Sequence, residues 1–174
     1  MLAFVSTMPA SLQRLAISVD GWLDLGAPER ALLDMDPLLS HPASRPLGLA
    51  LRVRALVELK RHAEALSDIE EIKRGEHDEN AIDLQEAWCR KRLGDVRGAA
   101  ACMERLVARE RKSAIGHYNL ACYLALAGET ERSLEELAIA CGLDPALRES
   151  LMTEHDLDSL HGDERFEQLR PPKK

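Results

Sequence analysis

Four segments of the chain repeat with a period of 34 residues. The period is marked by three glycines and a lysine, by a series of small residues, and by a series of large apolar ones. These are Gly26, Lys60, Gly94 and Gly128; Ala31, Ala65, Ala99 and Ser133; and Met35, Ile69, Met103 and Leu137. A fixed period of this length is typical of stacked helix-turn-helix hairpins. Such stacks usually present a binding surface, because each hairpin contacts only its neighbours and leaves one face of the stack open.

Composition supports a helical fold. The chain has 174 residues, of which 45% are hydrophobic and only 3% aromatic. Leu and Ala, which are strong helix formers, must therefore supply most of the core. Few segments alternate apolar and polar residues as a half-buried strand would. We predict an all-α fold.

Charge and cysteine content restrict the partners and the compartment. The net charge of −7 disfavours nucleic acid as a partner, and the chain has no run of Lys or Arg for an anionic membrane surface. No segment has the roughly 18 apolar residues needed to cross a bilayer, and the first residues lack the features of a signal peptide. The four cysteines form no CxxC pair, which indicates free thiols in a reducing cytoplasm, with two disulfides as the alternative.

The period divides the chain into segments. We predict an N-terminal segment over 1–10, four repeats within 11–145 (12–45, 46–79, 80–113 and 114–147), a C-terminal cap over 146–169 and a disordered tail over 170–174. The first helices are predicted over 11–25, 46–59, 79–93 and 113–127. The second helices are predicted over 28–39, 62–74, 96–109 and 130–142, followed by a short helix over 145–153. In the cap, the apolar Leu157, Leu160 and Phe166 are expected to cover the last hairpin.

Local signals support the helix ends. Gly26, Gly94 and Gly128 follow first helices, where glycine tolerates the left-handed backbone of a helix C-terminus. Asp95 and Thr130 are predicted to cap the N-termini of the second helices in repeats three and four.

The fourth repeat carries the strongest family signal. Its residues at signature spacings are Leu120, Ala121, Leu124, Gly128, Leu137, Ala140 and Pro145. On these residues the chain resembles the tetratricopeptide repeat (TPR) family, and its fourth repeat and tail look like those of bacterial members. His117 replaces the usual tryptophan and Ser133 the usual alanine. The resemblance implies a right-handed α-solenoid of four repeats plus a capping helix, with a concave groove, lined by first helices, that binds peptides or proteins.

Repeat three departs from this pattern. Its first helix has Asp83, Glu86 and Arg90 where the family keeps apolar residues. Either the helix is rotated, or the alignment slips by one residue in the charged loop before it.

The groove-lining positions give the candidate binding residues. They are Arg54 in repeat two, Leu84, Gln85, Trp88, Lys91 and Arg92 in repeat three, and Tyr118, Asn119 and Cys122 in repeat four. Trp, Tyr and Arg are the residue types enriched at binding hot spots. The alternative for Trp88 is that it fills the core of the irregular third repeat.

We expect a non-catalytic adaptor that binds a protein or peptide. The alternative is a self-associating module that forms a homodimer through the groove or an end hairpin. The histidines and cysteines show no zinc-ligand spacing, and no Gly-rich phosphate loop appears. The sequence therefore predicts no enzyme activity, no metal and no cofactor.

Overall fold

The computed structural model describes residues 8–75 and 78–171, and all the regular structure in these residues is helical. The chain divides into two units, Met1–Asp78 and Glu79–Lys174. Residues 1–7, in the predicted N-terminal segment, and 172–174, in the predicted disordered tail, lie outside the described residues, as do Glu76 and His77.

The first unit holds repeats one and two. Its helices are α1 (Ala10–Asp24), α2 (Pro28–Leu33), α3 (Asp36–Ser40), α4 (Arg45–Glu58) and α5 (His62–Ile72). The second unit holds repeats three and four and the C-terminal segment. Its helices are α6 (Glu79–Arg92), α7 (Val96–Arg109), α8 (Ala114–Leu126), α9 (Thr130–Leu143), α10 (Leu147–Ser150), a 3-10 helix (His155–Leu160) and α11 (Glu164–Leu169).

Two predicted helices are shorter than expected. The second helix of repeat one, predicted over 28–39, is split into α2 and α3. Pro37 has no N–H to donate to the carbonyl of Leu33, so α2 cannot continue through it. The helix predicted over 145–153 is limited to α10, because the chain turns at Leu151, whose side chain is fully buried.

The turn between the two helices of each hairpin has the same geometry in all four repeats. Gly26, Gly94 and Gly128 have φ of 68°, 84° and 80°, which confirms their predicted left-handed conformation. In repeat one, the N–H of Ala27 donates to the carbonyl of Trp22 at 2.9 Å, the six-to-one bond of a Schellman motif. Lys60 occupies the same place in repeat two with φ of 59°.

The residue before each second helix lies at the same repeat position, but among these described residues only Asp95 caps the helix with its side chain. Asp95 caps α7 as predicted, since its carboxylate accepts the N–H of Gly98 at 2.9 Å. The prediction for Thr130 is wrong, because Thr130 is the first helical residue of α9 and Glu129 precedes the helix. Glu129 is the residue that lies one period after Asp95.

The small residues of the repeat lie where paired helices approach. Two series are fully buried: Val19, Val53, Ala87 and Ala121 on first helices, and Ala31, Ala65, Ala99 and Ser133 on second helices. The hydroxyl of Ser133 donates to the carbonyl of Ala121 at 2.7 Å, which satisfies the one polar atom in these series.

Repeat three keeps its register. Ala87 and Cys89 are fully buried, as the repeat requires, and Asp83 and Glu86 are each only 4% exposed. Both of the explanations that the sequence suggested, a rotated helix and a slipped alignment, are therefore wrong. Arginines from α7 pair with the buried carboxylates instead: Arg105 bonds Asp83 at 2.6 Å and Glu86 at 3.1 Å, and Arg109 also bonds Asp83.

In the described residues, no helix has the length and apolar character needed to cross a bilayer.

Candidate binding face of repeats three and four

Trp88 lies at the surface of the second unit. Its side chain is 40% exposed, so it does not fill the core of repeat three. The guanidinium of Arg92 lies 4.5 Å from the centre of the Trp88 ring, and the ammonium of Lys91 lies 5.9 Å from it. Cations at these distances are attracted to the ring face and hold it in place. Trp88, Lys91 and Arg92 all lie on α6, so they form a pre-organised aromatic and cationic patch.

Lys91 also contacts the C-terminal segment. Its ammonium pairs with the carboxylate of Asp156, 65 residues further along the chain, and the two side chains are only 20% and 16% exposed. A half-desolvated pair of this kind is screened less by salt than an exposed pair. The ion pair stabilises the contact between the 3-10 helix and α6.

The same 3-10 helix packs against α8. Leu157 and Leu160 are fully buried, and the hydroxyl of Ser159 approaches the carbonyl of Ala125 on α8 at 3.4 Å. The carboxylate of Glu154 accepts the N–H of Asp156 at 3.2 Å and caps the 3-10 helix. The expectation that Leu157 and Leu160 cover the last hairpin is confirmed.

This segment covers two of the predicted binding residues. Tyr118 and Cys122 are 6% and 2% exposed, so neither side chain faces open solvent. Burial raises the pKa of both groups, and the nearby carboxylates of Glu154 and Asp156 raise them further. Both side chains are therefore neutral at physiological pH and present an apolar surface to the segment above them.

Tyr118 carries an unsatisfied polar atom. Its hydroxyl is buried and has no hydrogen-bond partner among the described residues. A buried hydroxyl without a partner typically costs about 1–3 kcal/mol. The C-terminal segment thus covers this part of α8 without satisfying all of its polar atoms.

We call the candidate face the surface formed by Trp88, Lys91 and Arg92 on α6 together with Tyr118 and Cys122 on α8. Leu84 is half-buried and packs against the core of the second unit, while Gln85 and Asn119 are half-buried.

Arg54 lies in the first unit and already has three acidic neighbours. Its guanidinium bonds Asp20 at 2.8 Å and Asp24 at 2.7 Å, and Glu58 lies 3.7 Å away. Its charge is therefore shared among carboxylates of the same unit, which leaves it poorly suited to hold an acidic ligand.

The second unit also contains a cluster of potential metal ligands. Oxygen and sulfur atoms of Asp83, Glu86 and Cys102 lie within 4.8 Å of one another, and all three residues are buried. Arginines already hold both carboxylates, and burial raises the pKa of the Cys102 thiol, which disfavours the thiolate that a metal requires. The cluster fits an internal ion-pair network better than a metal centre.

The sequence did not reveal two features of this region. The pairing of Lys91 with Asp156 joins residues too far apart for any periodic signal. The pairing of Asp83 with Arg105 and Arg109 was also missed, although these residues lie on the two helices of one hairpin, and the predicted packing of α6 on α7 would have brought them together.

No family model matches the sequence, and no curated protein is significantly similar to it. Solved structures do resemble its fold. MamA (residues 41 to the end) from Desulfovibrio magneticus RS-1 matches with a TM-score of 0.77 at 18% identity, over 94% of this chain and 95% of that one. A double mutant of MamA RS-1 matches with a TM-score of 0.75 at 16% identity, over 94% and 96%.

A third structure is YrrB, described as a TPR protein with an unusual peptide-binding site. It matches with a TM-score of 0.73 at 15% identity, over 96% of this chain and 88% of that one. The chain therefore has an all-α solenoid fold of the TPR type, which confirms the resemblance drawn from its fourth repeat. A fold of this type is generally a protein-interaction scaffold.

Proposed function

We propose that this protein is a non-catalytic adaptor that binds a peptide or protein segment on the candidate face, with Trp88 and Arg92 as its anchors. The observation that carries the proposal is the exposed Trp88 ring stacked under Arg92. A large aromatic side chain that is 40% exposed and held by cations is costly to leave in water and gains most from being covered by a partner.

The chemistry of the face indicates the chemistry of the partner. The Trp88 ring favours an apolar or aromatic side chain, and the guanidinium of Arg92 favours a neighbouring carboxylate. YrrB, which has a similar fold, is described as having a peptide-binding site. We therefore expect a segment that carries apolar and acidic residues close together, and neither nucleic acid nor a membrane surface.

Cys89 and His117 in the second unit support a non-catalytic role. Burial raises the pKa of Cys89 to about 11, which makes its thiol a weak nucleophile. Both ring nitrogens of His117 are engaged, by Glu136 at 2.5 Å and by the carbonyl of Arg111 at 3.1 Å. The four cysteines are free and buried, which confirms the expected thiols and supports a reducing, cytoplasmic location.

The test is affinity capture with matched variants. The wild-type chain, Trp88→Ala and Ile139→Ala are immobilised, and proteins retained from a lysate of the source organism are quantified by mass spectrometry. Ile139 is a suitable control because it is 43% exposed in the same unit but lies on α9, a second helix.

A partner held by a hot spot of about 2 kcal/mol or more loses at least about 20-fold in affinity when that residue is truncated. We expect at least one protein to be retained by wild type and by Ile139→Ala but lost on Trp88→Ala. If every retained protein binds Trp88→Ala as well as wild type, the proposed site is wrong.

Self-association is the second candidate, and one observation favours it. The first unit exposes three large apolar side chains, Ile17, Leu25 and Leu33, each at 74–76%. Burying such side chains against a second copy would be favourable. Light scattering of the wild type and of Ile17→Ser decides: a dimer that the substitution dissociates establishes self-association, and a monomer at high concentration excludes it.

A further inference from the structure

Residues 154–160 contact the second unit as a bound peptide would. One acidic side chain, Asp156, pairs with Lys91 on α6, and two leucines, Leu157 and Leu160, are buried where the segment packs on α8. Peptide recognition usually combines two elements: a charge that fixes the register, and apolar anchors that supply contact area. A cap that served only to close the core would need the leucines but not a carboxylate for α6.

Two features of the segment favour its local opening. It is a single 3-10 helix, whose hydrogen bonds are weaker than those of an α-helix. Fully buried residues anchor the chain on both sides of it, Leu151 before it and Phe166 after it, and Gly162 has φ of 91° at the downstream turn. Between these anchors, the segment forms a strap.

The strap leaves one polar atom of the face without a partner. Tyr118 is 6% exposed, and its hydroxyl is buried with no hydrogen-bond partner in the described part of the chain. A ligand that places an acceptor there would gain a bond that the strap does not make. This unsatisfied donor is independent of the Lys91–Asp156 pair and points to a ligand other than the strap.

We propose that the strap is a tethered occupant of the binding face, and that the face accepts from a partner a peptide of the same pattern, D-L-x-x-L. The pattern is that of Asp156, Leu157 and Leu160. In this arrangement the strap is autoinhibitory: the tether gives it a high effective concentration, so only a partner peptide that binds better displaces it. The inference rests on the function proposed above and identifies the chemistry of the partner.

The test uses the full-length chain and a fluorescein-labelled synthetic peptide with the sequence of residues 151–163. Fluorescence anisotropy measures its binding to the wild type and to Asp156→Ala/Leu157→Ala, in which the strap is weakened. We expect the weakened variant to bind at least about tenfold more tightly than wild type, because the competing strap is lost.

A charge-reversal pair tests the register of the bound peptide. In the weakened background, Lys91→Glu is expected to reduce binding at least about fivefold, and a peptide with Lys in place of Asp156 is expected to restore it. A scrambled peptide of the same composition serves as the control. Equal binding to the wild type and the weakened variant, or equal binding of the scrambled peptide, overturns the inference.

Hydrogen exchange on the wild type keeps the inference testable if the variants fail to fold. The amides of Leu157–Leu160 are expected to exchange at least about tenfold faster than the slowest amides of α8, because the strap opens locally. Equal rates would mean that the strap leaves only when the unit unfolds, which contradicts the proposal.

The two proposals fail separately. If partner capture does not depend on Trp88, the proposed function is wrong whatever the peptide does. If capture depends on Trp88 but the weakened strap changes neither capture nor peptide binding, the function stands and the strap is only a cap.

Discussion

Lys60 is the one non-glycine residue at the hairpin turn, and replacing it with glycine should stabilise the protein. Its φ of 59° lies in the left-handed region, where a side chain beyond Cα costs about 1–2 kcal/mol. Its N–H still donates to the carbonyl of Val57 at 3.0 Å, and the next N–H donates to Leu56 at 2.8 Å. The hydrogen bonds of the turn are therefore complete, and the backbone strain at Lys60 remains.

The expected gain follows from two opposing terms. Lys60→Gly removes the conformational cost of the folded state. It also increases the entropy of the unfolded chain, which lowers the gain in stability by about 0.5–1 kcal/mol. The net stabilisation is about 0.5–1 kcal/mol. For a chain of this size, 1 kcal/mol raises Tm by about 2–4 °C.

The assay is urea and thermal denaturation followed by circular dichroism, with two matched controls. Lys60→Ala keeps a side chain at the strained position and removes the charge, so it should leave stability almost unchanged. Gly94→Ala introduces the strain in repeat three, where an added Cβ meets no atom within 4 Å, and should destabilise through φ alone. If Lys60→Gly is no more stable than Lys60→Ala, the strain argument is refuted.

Substitutions at three further positions test the second unit. Asp83→Ala should lower the free energy of unfolding by about 1–3 kcal/mol, since Arg105 and Arg109 lose a shared carboxylate but remain partly exposed; a change below about 0.5 kcal/mol would contradict this. Asp95→Ala should cost about 1 kcal/mol by removing the α7 cap, whereas Asp95→Asn should retain most of it. Burial and the nearby Glu86 raise the pKa of Cys89 to about 11, above the value of about 8.5 in the unfolded chain. The neutral thiol of Cys89 therefore contributes fully to stability below pH 8.5, and this contribution is lost as the pH rises through 11. Urea denaturation under reducing conditions should therefore show a smaller loss of stability over this range for Cys89→Ala than for wild type, and equal losses would be the contrary result.

The hairpins were predictable because their signals are local. The 34-residue period places each glycine at a turn that needs a positive φ, and the apolar spacing places the small residues between paired helices. The break between α2 and α3 was not predicted, because the period favoured one continuous helix. To predict it, the helix-breaking effect of Pro37 has to be set against the period.

The candidate face was only partly predictable. The repeat places Trp88, Lys91 and Tyr118 on first helices, but their environment depends on the path of the C-terminal segment. Nothing in the local sequence around Asp156 indicates that it pairs with Lys91. Likewise, the charged Asp83 at a buried position suggested a rotated helix. The pattern within α6 does not show that its arginine partners lie on the next helix.

The alkylation rate of Cys122 is the most direct measure of whether the strap covers α8 and opens on its own. Cys122 is 2% exposed on α8, beside the strap, whereas Cys102 is 1% exposed on α7, in the ion-pair cluster, and serves as a control within the same molecule. Truncating a buried leucine typically costs about 2–5 kcal/mol, which corresponds to an opening at least about 20-fold more frequent. In Leu157→Ala, site-resolved mass spectrometry should show iodoacetamide reacting at least about tenfold faster with Cys122 while the rate at Cys102 is unchanged. Equal acceleration at both cysteines, or at neither, would show that residues 154–160 do not open as a strap over this face.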